Sequence, residues 1–502
     1  MTARHMTARH MTTKVATMSA TTMVRAVVLA GVLAVTAGGC AATSQESTQP
    51  AKAQANAASA AVGQVSTGTV VQPENQGAAL LDALNSATRS IDIVIYQIGN
   101  QSIQDALLAA MRDRNVTVRV VMDGSTASQV TKNGAFAAAM KSAVAQAGLP
   151  ATVFSAHWAS DNFNITHQKS VMIDAVDTQG APLAAGAMPS TAVLLVSTGN
   201  FYSYKDDPFY SARDFYVTTA DQSLINAAST VFVSDFGCAG PTVTNGLAAA
   251  TNLVWSNGTT GLYPGQVGQY PPVSQGYFGD GKATDPEPVD AGNSFPFQYN
   301  LVANAGAGDV VRIYNEELSS SNFVTAIEGA LDRGADVRIV MTYDQPSKGV
   351  PNSSMVNLEA LAAHVPSSSS LPGATVTLYA PQQVVPEALY IHAKAITLNG
   401  SDGAFKGGFV GSVNLSNPSM LDNRELGLPL TAATAETNGV IISTFDADFA
   451  STVNTTQLTK ANPSNIPATW NGAEVAGAVD ESKYADENTR VGSPAGRCGP
   501  VG

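Results

Sequence analysis

Two stretches of this chain, about two hundred residues apart, run through the same order of elements, so the chain has to fold as two like halves. Residues 90–96 alternate and are β-branched, the pattern of a strand. Residues 103–114 follow with Ile103, Leu107 and Met111 on one helical face, and residues 116–123 read as a second strand. The later copy repeats this: a strand over 310–314, a helix over 324–333 and a strand over 335–341. Strand, helix, strand with a helix of that length implies a right-handed crossover and largely parallel pairing. The expected fold class is therefore α/β, with two similar domains built on mixed, largely parallel sheets.

Each half also carries His-x-Lys with a polar residue five positions beyond the lysine. The first copy is His167, Lys169 and Asp174; the second is His392, Lys394 and Asn399. Each opens an apolar stretch, 170–173 and 395–398, so period-two geometry points His and Lys to one side of a strand. Asp174 or Asn399 would then anchor the following turn. A second polar signature follows each, Ser197-Thr198-Gly199-Asn200 and Gly411-Ser412-Val413-Asn414. Two imidazoles and two ammonium groups brought together suit phosphodiester chemistry. One ring attacks phosphorus, the other protonates the leaving alkoxide, and the lysines hold the phosphoryl oxygens.

Composition narrows the field. The formal charge is −13, which weighs against a polyanion as partner but leaves room for a local basic cleft. No Cys/His cluster has metal-site spacing, so neither a metal nor another cofactor is expected. Residues 1–39 read as an export signal: a weakly basic lead, a short apolar run over 26–35, then small residues before Cys40. Lipidation of Cys40 and ordinary secretion both stay open, and Met18 or Met23 suits initiation better than Met1. Residues 40–70 read as a flexible tether, 71–255 and 297–460 as the two domains, 256–296 as a linker or rim loop, and 461–502 as a tail. A disulfide between Cys238 and Cys498 would tie that tail to the first half; two unpaired thiols are the alternative. A surface insertion is expected over 177–190.

The doubled His-x-Lys, the Asn-bearing signature after each, and Asn423-Arg424-Glu425 after the second resemble the phospholipase D superfamily over about residues 75–455. Lys205-Asp206-Asp207 through Ser211-Ala212-Arg213-Asp214, and Asn164 before His167, look like secreted bacterial phospholipases D. The resemblance implies two halves about a pseudo-twofold axis sharing one site at their interface. It implies that His167 is the nucleophile and His392 the general acid, with Asp214 paired to the first histidine and Glu425, or nearby Asp422, to the second. Lys169, Lys394, Asn200 and Asn414 would bind non-bridging oxygens, with Ser197 and Ser412 in support. Asn399 departs from the family's Asp, which implies reduced activity or altered stability.

Other residues keep plainer readings. His157 suits a solvated loop, His364 a helix end, and Asp206-Asp207 a solvated pair; Glu316-Glu317 either line the cleft or cap the next helix. The expected function is an exported bacterial enzyme cleaving glycerophospholipids at a membrane or micelle surface, as a monomer and without nucleic acid. Transfer to another alcohol stays open beside hydrolysis. The alternatives are a nuclease of the same fold, a cardiolipin-synthase-like transferase, and a degenerate lipid-binding lipoprotein.

Overall fold

The computed structural model describes residues 68–159, 163, 165–202, 212–238, 254–257, 294–342, 353–364, 375–379, 390–450, 455–458 and 498–501. The export signal, Cys40, most of the tether and linker, Asn164 and residues 205–211 lie outside them.

The first half runs β1 (Gly68–Gln72), α1 (Ala78–Ser86), β2 (Ser90–Ile95), α2 (Gln101–Arg114), β3 (Thr117–Met122) and α3 (Ala127–Gln146). It continues through β4 (Phe154–Trp158), β5 (Lys169–Ile173), β6 (Val193–Ser197), β7 (Ala212–Thr219) and α4 (Gln222–Phe236). Helices start where the sequence supplies a cap: Asn100 accepts from Ile103 N, Thr126 from Gln129 N, and Asp221 from Ser223 and Leu224 N. As the crossover argument requires, β2, β3 and β4 pair in parallel. The strands bearing the site, β5, β6 and β7, then extend the sheet antiparallel from β2.

The second half follows the same plan: β8 (Val254–Asn257), α5 (Ser294–Ala303), β9 (Val310–Tyr314), α6 (Ser321–Asp332), β10 (Asp336–Thr342), α7 (Ser353–His364) and β11 (Thr375–Tyr379). Then come β12 (Tyr390–Ile391), β13 (Ala395–Asn399), β14 (Phe405–Gly411), β15 (Arg424–Leu430), α8 (Ala435–Ala450), β16 (Thr455–Leu458) and β17 (Gly499–Pro500). Strands β9, β10 and β11 are parallel, and β13, β14 and β15 are antiparallel. The two parallel cores with antiparallel extensions are the fold class expected of the repeat.

The domain boundaries shift where strands change sheets. β1 starts at Gly68, so the folded body begins inside the expected tether. β8 pairs with β15, which places residues 254–257 in the second sheet and not in the first domain or the linker. β12 pairs with β7 of the first sheet, and β17 pairs with β4. The Cys238–Cys498 disulfide does form, with Cα atoms 5.6 Å apart, and ties β17 to the first half as expected.

Three apolar cores follow from this layering. One lies between the first sheet and α1, α2 and α3, and a second between the second sheet and α5, α6 and α7. The third joins both sheets: Val94, Met172, Val196 and Phe215 from the first meet Tyr314, Ala395, Val410 and Leu426 from the second, with α4 and α8 packed in. Burial of this shared face removes apolar area from water on both sides of the seam, at about 25 cal/mol per Å². Neither half can keep that face in water, so the two form one unit.

Candidate active site

The two His-x-Lys segments lie along the seam, each against the start of the other half's acidic strand. The main-chain N–H groups of His167 and Gln168 donate to the Arg424 carbonyl at 2.9 and 2.8 Å, and Arg424 N donates to Ile165 O at 2.8 Å. Likewise His392 N donates to Arg213 O at 3.2 Å, beside the β12–β7 pairing. His167 and His392 precede β5 and β13, so each ring is presented from the strand's leading edge and not from within it.

This exchange decides which acid meets which imidazole, and the expected pairing is reversed. His167 Nδ1 faces Glu425 at 3.0 and 3.1 Å, and His392 Nδ1 faces Asp214 Oδ1 at 3.0 Å. The physical reason is the crossed backbone: each histidine docks on the strand that carries the partner half's acid. All four side chains are buried. Glu425 also accepts from Ser412 Oγ at 2.5 Å, Ser419 Oγ at 2.5 Å and Asn423 Nδ2 at 3.2 Å. Asp214 accepts from Thr198 Oγ1 at 2.6 Å. Thr198 is therefore the counterpart of Ser412, whereas Ser197 bonds within its own turn to Gly199 O at 2.7 Å. A side chain at Gly199 would put Cβ 2.3 Å from Asp214 Oδ2, so only glycine lets that carboxylate approach. The Asp422 side chain lies outside the described residues.

Lys169 and Lys394 are fully buried, and each Nζ donates to the carbonyl of its own histidine, at 2.7 and 2.5 Å. That bond holds the ammonium beside the ring two residues earlier, the practical consequence of the His-x-Lys spacing. The Asn200 and Asn414 amide oxygens are buried without a hydrogen-bond partner. An amide oxygen only accepts, so these two matching atoms are left for a donor group of a ligand, while Asn414 Nδ2 lies 3.5 Å from Glu316 Oε2.

Electrostatics sets the first imidazole apart. Burial lowers the His167 pKa to about 4; Glu425 opposes this, and the ammonium groups of Lys169 and Lys394 add to it. A lysine of the second half thus acts on the histidine of the first. Burial would raise Glu425, but His167, Lys169 and Ser412 outweigh it and hold it below the usual carboxylate range. His167 is a neutral ring with its far nitrogen braced, the state a nucleophile needs.

The halves differ where β2 and β9 end. Ile95 lies opposite Lys169, and the residue after Tyr314 falls opposite Lys394, so Tyr96 and Glu316 occupy equivalent positions. The matching bridges Ile98–Phe201 and Leu318–Leu415 fix the same register. Tyr96 sets its ring edge-on to His167 at 5.1 Å and lies 5.4 Å from Lys169 Nζ. Glu316 places Oε2 2.8 Å from Lys394 Nζ and 3.5 Å from His392 Nε2, while Oε1 accepts from Tyr390 OH at 2.6 Å. Of the two readings open for Glu316, lining the cleft is the one observed.

Further residues hold the site in place. Arg213 pairs with Asp448 on α8 at 2.8 Å, and Arg424 pairs with Asp235 on α4 at 2.7 Å, so each arginine beside one of the two bracing acids reaches the last helix of the other half. Asp123 accepts from Thr166 N at 2.8 Å and fixes the residue before His167; burial raises its pKa to about 6. These residues were not singled out from sequence, although Arg-Asp and Arg-Glu at 213–214 and 424–425 form a doubled dipeptide that signals them. Asp174 anchors the turn before β2, accepting from Arg89 N at 2.7 Å, Ser90 N at 3.0 Å and Thr191 Oγ1 at 2.5 Å. Asn399 instead accepts from Arg312 at 3.1 Å and donates to Gly403 O at 3.2 Å. The turn before β9 is held by Asp309, which accepts from Gly306 N at 2.9 Å. His157 bonds Phe236 O at 2.8 Å and stacks on Phe236, so it is a packed residue and not a solvated one. His364, at a helix end as expected, contacts Asp332 at 3.0 Å. Among the described residues, no cluster of three or more His, Cys, Asp or Glu side chains could hold a metal ion.

A family profile described as "Cardiolipin synthase, PLD-like domain" matches residues 80–204 and 303–451, more than half of the chain, one match per half. The chain belongs to this family and so to the phospholipase D superfamily. No curated protein matches it. Among solved structures it is similar to phosphatidylserine synthase from Haemophilus influenzae Rd KW20, with 11% identity and a TM-score of 0.50, over 76% of this chain and 85% of that one. It is similar also to polyphosphate kinase from Porphyromonas gingivalis, with 14% identity and a TM-score of 0.50, over 79% of this chain. The chain spans about half (49%) of the length of that kinase. At these identities the likeness is one of fold. The fold is that of superfamily phosphodiesterases and transferases.

Proposed function

We propose that the protein is a phospholipase D-type phosphodiesterase that cleaves the headgroup diester of glycerophospholipids through a phosphohistidine on His167. The observation that carries this is the crossed bracing of two imidazoles by two buried carboxylates, between two buried lysines. Neutral His167 attacks phosphorus through Nε2 while Glu425 stabilises the imidazolium that forms. Lys169, Lys394, Asn200 and Asn414 hold the non-bridging oxygens as charge builds. His392, braced by Asp214, gives its proton to the departing alkoxide, then takes one from water so that hydroxide equivalent attacks the phosphohistidine and releases phosphatidate.

Transfer to an acceptor alcohol uses the same intermediate, with the alcohol replacing water. The family description and the likeness to a phosphatidylserine synthase favour keeping it as a second reading. The chain's acidity, −13, and its expected export signal support a lipid over a nucleic acid as substrate, and one chain supplies both halves of the site. Among the described residues no helix is long and apolar enough to cross a membrane.

The test is incubation with phosphatidylcholine vesicles, with and without glycerol, and with plasmid DNA, all in EDTA. Choline release without nicking is expected. Phosphatidylglycerol formed in glycerol assigns transfer as well, whereas nicking without choline release overturns the reading.

A further inference from the structure

We propose that Glu316 is a carboxylate gate on the phosphate grip of the second half. It rests on the phosphoryl-transfer reading above and adds a residue that the doubled motif does not contain. Three groups that would face a phosphoryl oxygen, Lys394 Nζ, His392 Nε2 and Asn414 Nδ2, lie 2.8, 3.5 and 3.5 Å from one atom, Glu316 Oε2. That oxygen stands on the donors a phosphate oxygen would use.

The equivalent position in the first half holds Tyr96, a phenol in place of a carboxylic acid, with its ring 5.4 Å from Lys169 Nζ. The second half therefore has a carboxylate at this place, paired with its lysine, where the first has an aromatic ring. Glu316 is held by Tyr390 OH at 2.6 Å, and Tyr390 lies on β12, the strand that changes sheets to reach the first half. Glu316 is held ionised: burial works against its charge, but His392, Lys394 and Tyr390 outweigh this. A phosphodiester and a carboxylate cannot share these donors without strong like-charge repulsion in a buried site. Substrate phosphate must therefore displace Glu316 from Lys394, and each product must leave against its return.

The consequence is weak binding of small anions and faster release of phosphatidate. Isothermal calorimetry with inorganic phosphate tests this without turnover. Glu316→Gln should tighten phosphate binding by roughly tenfold, the scale of one removed charge at this separation. Tyr390→Phe keeps the carboxylate but loosens it, so it should tighten binding in the same direction and by less. Glu317→Gln is the control. This neighbouring acid accepts from Ser319 Oγ at 2.5 Å and acts on Lys394 only through space, so its removal should tighten phosphate binding by clearly less than Glu316→Gln.

Phosphate binding to Glu316→Gln no tighter than to the native protein overturns the gate, as does equal tightening in Glu317→Gln. If tightening occurs but phosphatidylcholine is not cleaved, the gate stands and the lipase reading falls. If phosphatidylcholine is cleaved and Glu316→Gln binds phosphate as the native does, only the gate falls.

Discussion

His167 and His392 occupy matching positions in two matching halves, yet their surroundings differ in charge. His167 has one carboxylate, Glu425, an aromatic edge from Tyr96 and two ammonium groups acting on it. His392 lies between two carboxylates, Asp214 on Nδ1 and Glu316 near Nε2. A repeat supplies two equivalent rings, but catalysis needs two different protonation states. The clearest difference in their surroundings is a single position at the end of the central strand, Tyr96 in one half and Glu316 in the other.

The largest effects should come from removing either ring. His167→Ala should abolish turnover, by about 10³-fold or more, with the initial-rate assay on phosphatidylcholine as the check. His392→Ala should slow turnover comparably, but with an activated leaving group it should show a burst of product followed by stalled hydrolysis.

Next come the crossed carboxylates. Glu425→Gln and Asp214→Asn should each lower kcat by roughly 10²–10⁴-fold with little change in KM, since each fixes a tautomer and not the substrate. Under the reversed pairing, Glu425→Gln impairs formation of the phosphohistidine and Asp214→Asn impairs protonation of the leaving group. Only the second should be relieved by an activated leaving group.

The pH dependence sharpens the contrast. An imidazole whose pKa is lowered to about 4, as burial lowers that of His167, stays neutral well below the ordinary histidine value of about 6.5. The acid limb of kcat/KM assigned to His167 should therefore fall near pH 4, and Asp123→Asn should leave it in place. For stability the sign is the same: the unfolded imidazole takes up a proton below about 6.5 and the folded one does not. Its contribution is thus lost as pH falls from about 6.5 to about 4, at about 1.4 kcal/mol per unit.

The clamps should act on stability. Asp235→Asn leaves the buried Arg424 guanidinium short of its carboxylate, at a cost of about 3–5 kcal/mol in denaturant titration, and Asp448→Asn should cost less because Arg213 keeps Glu74 at 2.6 Å. The smallest effect belongs to Asn399→Asp. Asn399 is five residues along the chain from Lys394, and the anchoring duty that Asp174 performs has passed to Asp309. Activity should stay within twofold and stability within about 0.5 kcal/mol. A large gain in rate would restore the expectation that this substitution impairs the enzyme.

What could be read from sequence were features with a local period. The parallel core strands, the helices between them and both His-x-Lys motifs follow from alternation, heptad-like spacing and repetition. What could not be read was what crosses the seam. Period-two geometry says which face of its own strand a residue takes, but not that β8, β12 and β17 join sheets remote in sequence. The acid pairing expected from the resemblance was reversed for the same reason, because the crossed backbone delivers Glu425 to His167 and Asp214 to His392. Thr198 was hidden by a one-residue offset between two signatures that both contain serine. Glu316 carried a signal, an acid following a strand whose counterpart ends in tyrosine, but only the ladder register aligns the two.

Trapping the intermediate tests most directly whether the two rings have unequal roles. Rapid quenching of His392→Ala with a phosphodiester bearing an activated leaving group, followed by peptide mapping, should place the phosphoryl group on the peptide containing His167. Label on the His392 peptide in the native protein, or no covalent adduct in either form, would contradict it.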